Sequence, residues 1–201
     1  MILEKDIEEI KKKYPELKIY PKNDEIVLKG LLDIYDRNGN YIDSFNVEIF
    51  VPKSFPKSLP IVKEIGDDIP KNPDRHVNPD GTLCLTLPVI MKEKLKKNPS
   101  VVFYIEKFVK PYLAIQIYFE KTGKWLTGEY NHGEKGVIEF ISELFNLDIG
   151  IATKLYYYSK INMKKVAIIN WNSLCPCGSG RVLKKCHKKQ ILKILKLLYG
   201  T

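Results

Sequence analysis

The stretch EIVLKGLLDIYDRNGNYIDSFNVEIFV, residues 25–51, decides the fold. Two apolar runs flank Asp36-Arg37-Asn38-Gly39-Asn40, and Asn-Gly between such runs is the strongest short-range signal for a hairpin. In the second run Phe45, Val47, Ile49 and Val51 alternate with Asn46 and Glu48, the period of a strand with one buried face. PKSFPKSLP follows at 52–60, too proline-spaced for anything but a turn or an extended connection. IVKEI at 61–65 then offers a third strand. Links this short cannot carry parallel crossovers, so the expected topology is an antiparallel meander.

Upstream, residues 2–14 read as an amphipathic helix, with Leu3, Ile7, Ile10 and Tyr14 at helical spacing. Downstream, residues 66–82 form a long irregular loop containing Pro70, Pro73 and Pro79. Long ordered loops in compact domains usually carry function. Asn98-Pro99-Ser100 marks a helix start, and Pro111 should kink or split the helical run 101–121 that follows. After a glycine-rich segment at 122–136 come an amphipathic helix at 137–147 and a basic amphipathic one at 188–200. The expected class is α+β. A first domain spans 1–150, and a second region spans 151–201.

Charge separates the same two regions. From Ile151 to Thr201 there are eleven Lys/Arg and no Asp or Glu, whereas the first 150 residues hold 22 basic against 24 acidic groups. Such a tail is either a solvated face or a surface for an acidic partner, nucleic acid or protein. It carries Tyr156, Tyr157, Tyr158 and Trp171 but no recognised nucleic-acid motif, so a zinc-knuckle nucleic-acid binder ranks behind the readings below. No apolar run is long enough to span a bilayer. The N-terminus has acidic residues where a secretion signal needs an uncharged apolar run, so the expected compartment is the cytoplasm.

The four cysteines fall into two groups. Cys175 and Cys177 are followed, after eight residues, by Cys186 and His187. Three thiolates and an imidazole complete a tetrahedral zinc set with no position left for water, so the expected zinc is structural. The run CPCGSGRVLKKCH, residues 175–187, resembles the SEC-C motif, a short zinc knuckle found at the C-terminus of the bacterial preprotein translocase ATPase and on many unrelated proteins. Elsewhere that motif is a binding knuckle, which implies a partner.

Cys84 stands apart, in RHVNPDGTLCLTLP at 75–88. A free cysteine is most often a small buried hydrophobe. This one follows a polar, proline-rich loop, with His76, Asn78 and Asp80 within eight residues. A reactive thiol needs partial exposure and hydrogen-bond donors aimed at the oxyanion that forms when it attacks an acyl group.

The order of elements resembles the ubiquitin-conjugating enzymes. The helix at 2–14, the strands through Val51, SFPKSLP, HVN, Gly81 and LCL stand where that family has its first helix, four-stranded meander, Tyr-Pro-rich turn, His-Pro-Asn element and catalytic cysteine. The resemblance covers roughly 1–120. It implies a thioester on Cys84, with Asn78 or His76 as oxyanion donor. The element reads His76-Val77-Asn78 and lies two residues closer to the cysteine than in the family, which leaves the choice between them open.

GKWLTGEYNHG at 123–133 resembles bacterial relatives encoded in anti-phage (CBASS-type) operons, some of which end in a SEC-C knuckle. His132 lies in it, either returning to the active site or stabilising its loop; Asp80 and His132 are candidates for easing deprotonation of the incoming amine. The implied donors are a ubiquitin-like protein or the C-terminus of a cGAS-like nucleotidyltransferase. No ATP-binding glycine loop is present, so activation must come from a partner or a separate activating enzyme. The alternative on the same fold is a catalytically inactive binding module.

Overall fold

A computed structural model describes residues 4–22, 25–125, 130–131, 133–163 and 166–199. His132 lies outside them. The chain divides into two compact units, Met1–Gly128 and Glu129–Thr201.

The first unit opens with α1 (Glu4–Lys13) and continues as β1 (Leu17–Lys22), β2 (Glu25–Tyr35), β3 (Tyr41–Val51) and β4 (Ile61–Glu64), a four-stranded antiparallel sheet in sequential order. The β2–β3 connection is a turn at Asp36–Asn40. Asp36 Oδ1 accepts from the amides of Asn38 and Asn40, both at 2.8 Å, and Gly39 takes a positive φ of 85°. Period 2 sends Leu28, Leu32 and Ile34 of β2 and Phe45, Val47, Ile49 and Val51 of β3 to one buried face. Burying each such side chain stabilises by about 1.5–3 kcal/mol.

In the sequence β1 is too short to announce itself and carries Pro21, although Leu17 and Ile19 alternate with the exposed Lys18 and Tyr20. It is an edge strand, where proline costs no ladder bond. The close approach behind it falls on Gly30, φ 144°, paired with Leu17. A Cβ there would lie 2.0 Å from the carbonyl oxygen of Glu16.

Helices cover the buried face. α2 (Pro88–Lys97) was also missed, since Leu87 at its N-cap makes no side-chain bond. Ser100 caps the next helix as expected, accepting from the Phe103 amide at 3.3 Å. That helix runs as α3 (Val101–Tyr104), widens into a π-helical turn at Ile105–Val109, and resumes as α4 (Lys110–Thr122). Pro111 lacks an N–H and its ring crowds the carbonyl four residues back; the wider turn before it absorbs this without breaking the rod.

The second unit holds α5 (Gly133–Phe145), α6 (Ile149–Asn162) and α7 (Lys188–Tyr199). The expected boundary after residue 150 is corrected by packing: Ile138 and Ile141 of α5 share one core with Ala152 and Leu155 of α6 and Ile191, Ile194 and Leu195 of α7. The basic closing helix thus buries its apolar face within its own unit. No described helix is long and apolar enough to cross a membrane.

Candidate functional site

Cys84 leaves a small hairpin mounted on the edge of β4. A short 3-10 turn, Pro73–Arg75, is capped by Asn72, whose side chain accepts from the Arg75 amide at 3.0 Å. His76 ends that turn in the left-handed region, φ 54° and ψ 37°. Val77 then bridges Leu83, Thr82 bridges Lys63 of β4, and the Leu83 amide donates to the Val62 carbonyl at 2.8 Å. Val77 and Leu83 point into the core. His76 and Cys84, the next pair along, are both half-buried, and the Cys84 amide donates to the His76 carbonyl at 2.8 Å.

The other candidates sit at the exposed tip. Asn78 Nδ2 donates to Thr82 Oγ1 at 3.0 Å. Asp80 Oδ1 accepts from the Thr82 hydroxyl at 2.6 Å and from its amide at 3.0 Å. The Thr82 hydroxyl, then its amide, hold the Asp80 carboxyl below its ordinary range. These bonds fix the turn. The hairpin therefore brings His76 beside Cys84 and ties Asn78 and Asp80 to Thr82.

What lies behind the loop has no signal in the sequence. From α4, the Tyr112 hydroxyl and Gln116 Nε2 both donate to the Arg75 carbonyl, at 2.8 and 3.1 Å. Burial is the main cause raising the Tyr112 phenol above its usual range; the Arg75 charge opposes this and that of Cys84 adds to it. Tyr112 thus lies within electrostatic reach of the thiol. These contacts span 37 and 41 residues of sequence, and no local pattern announces them.

The second cluster lies in the other unit. Leu174 bridges Val182, the Cys175 amide donates to the Arg181 carbonyl at 2.9 Å, and Gly178 and Gly180 take φ of 87° and 73° to turn the loop tightly. The ligand atoms of Cys175, Cys177, Cys186 and His187 all lie within 4.8 Å of one another. Cys175 Sγ and Cys186 Sγ are each 3.3 Å from His187 Nδ1, and Cys177 Sγ is 3.7 Å from Cys186 Sγ. Metal–sulfur bonds of about 2.3 Å and metal–nitrogen bonds of about 2.0 Å give tetrahedral edges of roughly 3.5–3.8 Å, so the donor set fits a zinc-sized ion.

Ser179 Oγ lies 3.2 Å from Cys177 Sγ and 3.3 Å from Cys186 Sγ, an outer hydroxyl on two sulfurs. Burial raises the Cys175 thiol. At Cys177 burial also raises, but the Ser179 contacts and the neighbouring thiols outweigh it and lower the thiol. Three crowded thiols cannot all ionise without a cation among them.

Residues 172–189 match the family model of the SEC-C motif, a zinc-binding type, and the match covers this knuckle alone. No curated protein and no solved structure matches the chain.

Proposed function

We propose that the protein is an acyl carrier of the ubiquitin-conjugating type, with Cys84 as its nucleophile and the knuckle as a structural zinc site. The observation that carries this reading is the placement of Cys84. A half-buried thiol leaves a rigid hairpin on the sheet edge, after a helix and four-stranded meander and before the packed helices, in the chain order the resemblance implies.

In this reading the Cys84 thiolate attacks the carbonyl carbon of an activated protein C-terminus. The C–S bond forms, the oxyanion collapses, and the activating group leaves with its electron pair. A neutral lysine amine then attacks the thioester; the C–N bond forms, the C–S bond breaks, the thiolate is restored and the amine passes one proton to solvent water. His76 is the better placed oxyanion donor, because it is the cross-strand neighbour of Cys84 whereas Asn78 lies at the exposed tip of the hairpin, bonded to Thr82. The donor by resemblance is a ubiquitin-like protein or the C-terminus of a cGAS-like nucleotidyltransferase, in bacterial anti-phage defence.

Intact-mass spectrometry without reductant, on protein co-expressed with its operon neighbours, tests the reading. Wild type should carry an adduct that thiols remove, Cys84→Ser should carry it as a thiol-resistant oxyester, and Cys84→Ala should carry none. Partners that co-purify with an adduct-free wild type would favour the binding module.

A further inference from the structure

We infer that Gln116 and Tyr112 of α4 are positioning residues for Cys84, acting through the backbone of Arg75 and His76. This rests on the reading of Cys84 as a working thiol. Gln116, 1% exposed, meets Arg75 twice: Nε2 donates to its carbonyl at 3.1 Å, and Oε1 accepts from its Nε at 2.8 Å. Tyr112 gives the same carbonyl its second hydrogen bond.

A carbonyl holding two buried donors fixes the plane of the Arg75–His76 peptide, and with it the φ of His76. That residue occupies a left-handed conformation that an L side chain adopts only under constraint. Its carbonyl in turn receives the Cys84 amide. The path from α4 to the thiol is continuous: two side chains, one carbonyl, one strained residue, one amide.

The Arg75 side chain closes the arrangement. Its guanidinium is 4.7 Å over the Phe119 ring and bonds Glu120 through Nη1. Phe119 stacks on Trp125 at 4.3 Å, and Trp125 meets the His76 ring edge-on at 5.3 Å. Buried Nη2 has no hydrogen-bond partner among the described residues. A buried guanidinium left partly unsatisfied is an expensive way to hold a loop if packing were its only purpose. Both ends of the Arg75–His76 unit are gripped.

The test uses full-length, zinc-loaded protein and iodoacetamide, with Cys84 alkylation followed by site-resolved mass spectrometry across pH. Gln116→Met is close in volume and removes the donor to the Arg75 carbonyl without adding a charge. Combined with Tyr112→Phe, both donors are gone. The expected result is a Cys84 rate about threefold to tenfold above wild type in the double variant, with a displaced pH profile and a smaller change in Gln116→Met alone.

A loss of global stability does not move that profile at temperatures where both proteins are folded. Profiles that superimpose on wild type, with or without a fall in thermal midpoint, would overturn the inference. Alkylation needs only the thiol, so the two ideas fail separately. No thioester adduct but clamp-dependent alkylation removes acyl transfer and keeps the positioning role; an adduct with clamp-independent alkylation does the reverse.

Discussion

The amide of Cys84 is bonded to the carbonyl of His76, a non-glycine residue in the left-handed region. Strain at His76 and the placement of the thiol are therefore properties of one backbone segment. Removing the side chain separates backbone preference from ring chemistry. His76→Gly suits a positive φ and should change stability by less than about 1 kcal/mol, while His76→Val should cost about 1–2 kcal/mol or more. Both should lose the thioester adduct. Denaturant melts and intact mass decide; equal losses in the two variants would show that the Trp125 contact, which both remove, and not the backbone sets the cost.

Gly30→Ala is expected to be among the most damaging single-methyl changes in the first unit. The new Cβ would meet backbone, the Glu16 carbonyl oxygen at 2.0 Å, where no side chain can step aside. The strand pairing of Leu17 with Gly30 must then open, at a cost of about 2–4 kcal/mol. Thermal denaturation, with hydrogen exchange over β1, reads this directly.

Native mass spectrometry should find one zinc ion per chain, and none in Cys186→Ser. Chelation should lower the melting of the second unit while leaving the first unchanged, because Cys175 and Leu183 belong to the same core as α5, α6 and α7. Structural zinc sites contribute on the order of 10 kcal/mol to the fold they close. A second unit that melts identically with and without chelator would refute the structural role.

Acid should weaken the first unit through Glu106. Burial raises its carboxyl, but hydrogen bonds from Tyr14 and Lys13 and the charges of Lys110 and Lys13 outweigh it and hold it below 4.5. A carboxyl depressed in the folded state stabilises fully above its unfolded value and loses that contribution as pH falls through its folded one. The thermal midpoint should therefore drop below about pH 4.5, and Glu106→Gln should flatten that part of the curve. An unchanged slope in the variant would assign the acid sensitivity to other groups.

What the sequence disclosed tracks the range of each signal. The β2–β3 hairpin was legible because Asn38-Gly39 and the alternation of Phe45, Val47, Ile49 and Val51 are local. The knuckle was legible for the same reason, its ligands lying within 13 consecutive residues. β1 and α2 were missed where Pro21 and an uncapped Leu87 hide the usual punctuation. Which of His76 and Asn78 lies across from Cys84 depends on the register of the small hairpin, and spacing does not report that. Tyr112 and Gln116 reach Arg75 only through tertiary packing.

The π-helical turn at Ile105–Val109 has a rotational consequence. Each residue in an α-helix advances about 100° around the axis. One extra residue in the turn re-phases everything after it relative to everything before. Val101, Val102 and Tyr104 ahead of the turn, and Tyr112, Leu113 and Gln116 behind it, are all buried. Deleting one residue from that turn would dial the second set away from the sheet. The bulge is the setting of a two-part key whose far bit engages Arg75.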